Sequence, residues 1–383
     1  MGTAVGLLVL EIVLRTLDLQ PARYGAPDWY AIPRDSPSGG AAWDRPDRPQ
    51  PHKRPSTVSR DILPGEFVPG IRIRMVYPSN PRGYFDRGNG VEFAINRLGL
   101  RGPEISVEKP RGTFRVLGLG DSFTFGEGVR EEDTFLRRLE RRFNEGQGGS
   151  PRFEFLNAAC GGYNTADEVL YLERKWLALA PDVVLIVFYL NDAYNHETIM
   201  EMGEDVGANL TQPSGLARWS LVWDHVQHRV ATRRQAKRIE RFYRAPFFRE
   251  PGEYLPYADA AKADWRRTRA GFRRAAEIAE EAGLGIGLVL FPMLYELDDD
   301  HPFTEVHRFV AAEAERLGIP VLDLLPAFRG RDAKDLWVHP GDHHPNERAH
   351  AIAADEIEVF LNTILESMPP QDPDDDDFQP RTD

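Results

Sequence analysis

From Phe114 onward the chain alternates two apolar patterns. FRVLGLG, FEFLNAA, VVLIVFYL, GIGLVLF and IPVLDLL are short, nearly continuous apolar runs of strand length. Between them, TFLRRLERRF, ADEVLYLERKWLAL, WRRTRAGFRRAAEIAEEA and EVHRFVAAEAERL place apolar residues three or four apart, as one buried helical face requires. Strands that are apolar throughout must be covered on both faces, and the intervening helices supply that cover. The pattern predicts an α/β fold, a three-layer α/β/α arrangement around a mainly parallel sheet of about five strands.

Upstream the pattern differs. IRIRMVYP, from Ile71, and VEFAINRLGLRG, from Val91, alternate apolar and polar residues around the turn-rich SNPRGYFDRGNG, which predicts a small accessory β region over 71–113. Residues 21–70 are rich in Pro, Gly, Asp and Arg without periodicity and read as a linker or an irregular wrap. Residues 1–20 are apolar from Ala4 to Leu10, but Glu11 and Arg15 interrupt the run before a spanning length of about 20 residues. Three readings compete there: a truncated signal-anchor, an interfacial amphipathic helix, or a helix packing on the body. The apolar density and the proline-rich stretch behind it favour a membrane contact. The expected location is therefore extracytoplasmic or membrane-associated in a bacterium, with a cytoplasmic one left open. No charged n-region or small-residue cleavage site argues for a cleaved signal.

The main domain is expected over 114–366, interrupted at about 193–256 by a helical insertion. Within it, LARWSLVWDHVQHRVATRRQAKRIERFYRAPFF is tryptophan-bearing and basic. One reading is a solvated helix whose apolar side, with Trp219, Val222, Val226 and Val230, docks on the body. The other is a lid that meets an anionic or membrane-bound substrate. Residues 367–383 form an acidic tail expected to be disordered, because like charges repel and little apolar surface orders it.

Composition narrows the function. With 383 residues and 42% hydrophobic content the chain can bury a large core, and a net charge of −13 disfavours nucleic acid as a partner. The single cysteine, Cys160, cannot form an internal disulfide and reads as a small buried residue.

In open parallel sheets ligands collect beyond the carboxyl ends of the strands. Four clusters sit there: Ser122 after FRVLGLGD, Gly161 and Gly162 after FLNAAC, Asn191 and Asp192 after VLIVFYL, and HPGDHHPN late in the chain. Ser122 is either a nucleophile or merely the cap of the next helix. Gly162 can bring a bare backbone N–H to a reacting centre, or simply turn the chain. Asn191 can donate its amide to an oxyanion, or cap a loop. Asp342 can orient a neighbouring imidazole and stabilise the imidazolium formed when a serine loses its proton. His339, Asp342, His343 and His344 could instead ligate a metal, although their spacing matches no strong signature, or form a structural histidine cluster.

Together these residues resemble the SGNH, or GDSL-type, hydrolase family. GDSFTFGEG is similar to its first block, NAACGGYN to the second, FYLND to the third and DHHPN to the last. The resemblance spans about Phe114 to Leu365 and implies a flavodoxin-like sheet. It implies Ser122 as nucleophile, His344 as general base and Asp342 as its orienting acid. The oxyanion hole would comprise the Ser122 amide, the Gly162 amide and the Asn191 side chain. Two positions depart from the family pattern: Tyr189 stands where a glycine is usual, and Asp342 precedes His344 by two residues rather than three. INRLGLRG ahead of LGLGDSFTFGEGV is similar to a bacterial subgroup with an N-terminal hydrophobic segment, often associated with cell-surface polysaccharide. The implied activity is a serine esterase or deacylase acting on an O-acyl group, with an acylated small molecule or polysaccharide as substrate and no metal or organic cofactor. An O-acyltransferase with the same residues, or a catalytically silent carbohydrate-binding protein of the same fold, would share the blocks. Oligomeric state is left open.

Overall fold

The computed structural model describes residues 2–17, 27–32, 56–57, 66–145, 151–195, 198–199, 213–248 and 258–369. Most of the proline-rich stretch, part of the insertion and the acidic tail lie outside the described residues.

Strands are numbered in chain order. Ahead of the main sheet come β1 (Asp28–Ile32), β2 (Ser56–Thr57), β3 (Glu66–Phe67), β4 (Arg72–Val76) and β5 (Gly90–Ala94). The main sheet comprises β6 (Thr113–Gly120), β7 (Arg152–Asn157), β8 (Val183–Phe188), β9 (Gly285–Leu290) and β10 (Val321–Asp323). A late hairpin, β11 (Trp337–His339) and β12 (Asp342–Pro345), precedes the helix Glu347–Ser367.

The main sheet runs β10-β9-β8-β6-β7, and every neighbouring pair is parallel. Chain order reverses at β6, which has β7 on one side and β8 on the other, so the ligand crevice opens there. β8 is buried along its whole length, which is why VVLIVF shows no polar alternation. Its successive side chains feed opposite faces of the sheet. Val184 and Ile186 join one core, with the helices Thr165–Arg174, Ala258–Ala282 and Thr304–Glu315. Val183, Leu185 and Val187 join another, closed by the helices Phe135–Asn144 and Glu347–Ser367. This is the three-layer α/β/α architecture expected from the alternating runs.

β4 and β5 pair antiparallel, as their alternation predicts. β1 adds a third strand on the outer edge of β4, from within the stretch that reads as a linker. DWYAI is short and lacks alternation, so its strand character comes from pairing with β4 and from the edge-on contact of Trp29 with Phe93. Ile73, Met75, Val91 and Phe93 share one core with Leu117 and Leu119 of β6, which joins the accessory sheet directly to the site-bearing strand.

No helix among the described residues is long and apolar enough to cross a membrane. The helix Gly2–Thr16 instead packs on the insertion helix Leu221–Arg244. The expected docking of Trp219, Val226 and Val230 on the body does not occur, since all three are exposed. Asp224 and Phe242 are the buried residues of that helix, so its apolar stripe and its buried face do not coincide.

Candidate active site

β6 ends at Gly120, where the chain turns so tightly that a Cβ would lie 2.2 Å from Thr124 Oγ1. The next residue, Asp121, caps the one-turn helix Ser122–Phe125, its side chain accepting a hydrogen bond from the Phe123 amide at 2.8 Å. The capping role therefore belongs to Asp121, and the Ser122 hydroxyl is released from it. Ser122 Oγ lies 2.9 Å from His344 Nε2 and 3.3 Å from Asp121 Oδ2.

The two-residue separation of Asp342 and His344 is explained by β12. In an extended strand, residues two apart project to the same side. Asp342 Oδ1 consequently lies 2.5 Å from His344 Nδ1 and also accepts the His344 amide at 3.2 Å. His343 projects the other way and stacks on Trp337, ring centroids 3.7 Å apart. Asn346 then accepts from the Arg348 and Ala349 amides, capping the helix Glu347–Ser367 and fixing the strand in place.

The remaining predicted residues flank Ser122 on the two strands beside β6. Asn191 sits in the short turn Leu190–Ala193 after β8, and its Nδ2 donates to Asp121 Oδ2 at 2.8 Å. An amide nitrogen carries two hydrogens, so this bond sets the plane of the group and leaves one donor to spend. Gly162 follows β7 in a turn where φ is +86°, a conformation glycine adopts without penalty. That turn is tied to the end of β6 by the Cys160 amide, which donates to the Gly120 carbonyl at 3.1 Å. Ser122, His344 and Asp342 are thus in direct contact, Asn191 joins them through Asp121, and Gly162 lies on the adjoining strand end. Tyr189, at the position where the family has glycine, lays its ring against Phe123 with centroids 3.8 Å apart, forming an aromatic wall beside the serine.

Two further side chains reach Asp342 and His344 and carry no local sequence signal. Tyr77, just beyond β4, donates from its hydroxyl to Asp342 Oδ2 at 2.8 Å and is fully buried. Glu127, also buried, places Oε2 3.8 Å from His344 Nε2. Its position in GDSFTFGEG was visible, but nothing in that block distinguishes it from a surface carboxylate. The turn holding Ser122 is secured from below by buried Arg101, whose guanidinium donates to the Phe125, Gly126 and Val129 carbonyls.

The electrostatics follow from these contacts. Burial pushes the Asp342 carboxyl up, but the His344 ring and the hydrogen bonds from His344 and Tyr77 outweigh it and bring the pKa down to about 2. Burial pushes His344 down, yet Asp342, with Glu127 and Asp121 behind it, raises it to about 9. The imidazolium is the favoured state of the resting site near neutral pH.

Among the described residues, no three His, Cys, Asp or Glu side chains are grouped to hold a metal ion. His339 faces Ser79, its Nε2 2.9 Å from the Ser79 hydroxyl, while its Nδ1 accepts the Gly341 amide. Cys160 is buried.

Residues 119–352 match the GDSL-like lipase/acylhydrolase family. The chain belongs to this family. The matched span of this GDSL-like family member runs from the end of β6 into the helix Glu347–Ser367. No curated protein gives a significant match to the chain. Similar solved structures include a two-domain esterase active on acetylated mannans, 16% identical with a TM-score of 0.39, matched over 70% of this chain and 53% of that one. The chain thus spans about half the length of that esterase. An acetyl xylan esterase is 16% identical with a TM-score of 0.40, over 65% of this chain and 100% of that one. An acetylxylan esterase from Geobacillus stearothermophilus is 19% identical with a TM-score of 0.38, over 66% and 94%. Likeness at this level bears on no residue role or substrate.

Proposed function

We propose that the chain is a serine esterase or deacylase that works through an acyl-enzyme. Ser122 Oγ attacks the ester carbonyl while His344 Nε2 takes its proton, and Asp342 holds the imidazole by Nδ1 and stabilises the imidazolium. The oxyanion is received by the Ser122 and Gly162 amides and by the free N–H of Asn191. His344 returns its proton to the leaving alcohol, and water, activated by the same imidazole, releases the acid and regenerates Ser122. The observation that carries this reading is the continuous relay Ser122–His344–Asp342, with contacts of 2.9 and 2.5 Å.

The alcohol is proposed to be a carbohydrate. The half-buried Tyr189 ring, stacked on Phe123 beside the serine, offers an aromatic surface of the kind that sugar rings stack on. The test is labelling with a fluorophosphonate probe, followed by assay on an acetylated oligosaccharide. Labelling of the folded chain that disappears in Ser122→Ala, with free acetate released from the sugar, supports the proposal. An unlabelled but folded protein overturns it, and acyl transfer to a sugar hydroxyl in excess of hydrolysis replaces hydrolase with transferase.

A further inference from the structure

The helix Gly2–Thr16 is inside-out for a helix in water. Of its charged residues, Glu11 is turned to the protein, 17% exposed, and Arg15, 56% exposed, reaches back to it. Glu11 Oε2 accepts from the Ser220 hydroxyl at 2.7 Å and the Val222 amide at 3.0 Å, and Oε1 accepts from the Leu221 amide at 3.0 Å. A carboxylate from one helix thereby caps the amino end of another, the helix Leu221–Arg244. Arg15 closes the joint, bonded to Glu11 and donating to the Trp219 carbonyl at 2.5 Å.

With the polar residues spent on that joint, the apolar ones face outward. Leu7, Leu8, Val9, Leu10, Ile12 and Val13 are exposed, Leu8 to 61%. The partner segment continues the same surface, with Trp219 80% exposed and Trp223, Val226 and Val230 exposed beyond it. Trp223, Val226 and Val230 line a groove of about 640 Å³ together with Arg234 and Arg238. Arg229, Arg233 and Lys237 are exposed along the same helix. In a chain of net charge −13, this is a local concentration of positive charge bordering an apolar surface.

We propose that this two-helix face docks on an anionic lipid bilayer. Apolar side chains enter the acyl boundary, Trp219 and Trp223 sit at headgroup level, and the arginines and Lys237 meet the lipid phosphates. The polarity fits a lipid occupant, because an apolar rim carrying an excess of cations is matched by a surface that is apolar within and anionic at its edge. The proposal does not depend on the esterase reading, since none of these residues belongs to the site.

The test is flotation of the full chain with vesicles of phosphatidylcholine alone or with phosphatidylglycerol added. Flotation with the anionic vesicles, weakened by salt, is expected. Trp219→Ala with Trp223→Ala should lower the bound-to-free ratio roughly tenfold or more. Arg233→Glu with Arg234→Glu should remove the preference for phosphatidylglycerol. Wild-type circular dichroism spectra and melting temperatures show that the variants are folded. Failure of the wild type to float on anionic vesicles, or unchanged flotation of the tryptophan variant, overturns the proposal. So does a stable dimer in light scattering that the tryptophan variant converts to monomer, which would make the face a contact between two copies.

Discussion

The carboxylate of Glu127 should suppress the enzyme near neutral pH, and Glu127→Gln should therefore accelerate it. His344 can act as a base only when neutral, and its pKa is raised to about 9, so kcat/KM should climb with pH along a limb centred there. Glu127 Oε2 stands 3.8 Å from Nε2, the nitrogen that must lose its proton before it can accept one from Ser122. A unit-charge pair at about that separation is worth about 1 kcal/mol in water and about 4 kcal/mol at an effective dielectric constant of 20. The His344 side chain is 27% exposed, which places the interaction toward the lower figure. Removing the charge makes the imidazolium less favourable, and about 1.4 kcal/mol lowers its pKa by about one unit. Well below the limb the rate follows the neutral fraction, so kcat/KM at pH 7 should rise about tenfold while the alkaline plateau stays in place. The assay is kcat/KM for a chromogenic acetyl ester from about pH 6 to about pH 10. A limb that fails to move, or moves upward, refutes the electrostatic argument, as does a wild-type limb at the ordinary histidine value of about 6.5.

Other consequences are also measurable. Tyr77→Phe removes a hydrogen bond to the buried Asp342 carboxylate, so urea denaturation should show a loss of about 1.5–3 kcal/mol, with kcat reduced more than KM is raised. Burial, with Arg101 and Arg138 nearby, holds His350 down to about 3, so the unfolded chain binds a proton that the native chain refuses between about pH 6.5 and about 3. Stability contributed by neutral His350 is thus complete above that window and falls by about 1.4 kcal/mol per pH unit within it; denaturation midpoints in His350→Gln should depend less on pH. Burial first, then the charges of Asp121 and Asp167, raise the Glu168 carboxyl well above the ordinary range. A folded-state pKa raised in this way makes stability fall as pH rises, so Glu168→Gln should gain in melting temperature over the wild type progressively as pH climbs above the ordinary glutamate value of about 4.3.

The sheet was legible because its inner strands β6, β8 and β9 are buried on both faces and the intervening helices on one, so burial writes most of the alternating runs. The unusual Asp342–His344 spacing was also decidable in principle, since a two-residue step is the period of the strand that carries it. The ambiguity of Ser122 was not decidable locally. It turned on which neighbour caps the next helix, and Asp121 does so. Tyr77 and Glu127 escaped for a different reason. A tyrosine that bonds a carboxylate 265 positions away follows no periodic rule, and its partner is defined only by the folded chain. The insertion misled in the opposite sense. Of the two readings of its apolar stripe, the docked one requires Trp219 to be covered, but Asp224 is buried while Trp219 faces out.

The accessory sheet alters what counts as the catalytic unit. Tyr77 reaches Asp342, Ser79 reaches His339, Arg82 bonds the Trp337 carbonyl, and Arg101 grips the turn that follows Ser122. All four precede the first residue matched to the family, residue 119. A chain trimmed to that match would keep Ser122, His344 and Asp342 yet lose the clamp that holds both loops to one another. In modular terms, the chemistry and its alignment are encoded in separate stretches of sequence, and a graft or truncation must carry both to transfer activity.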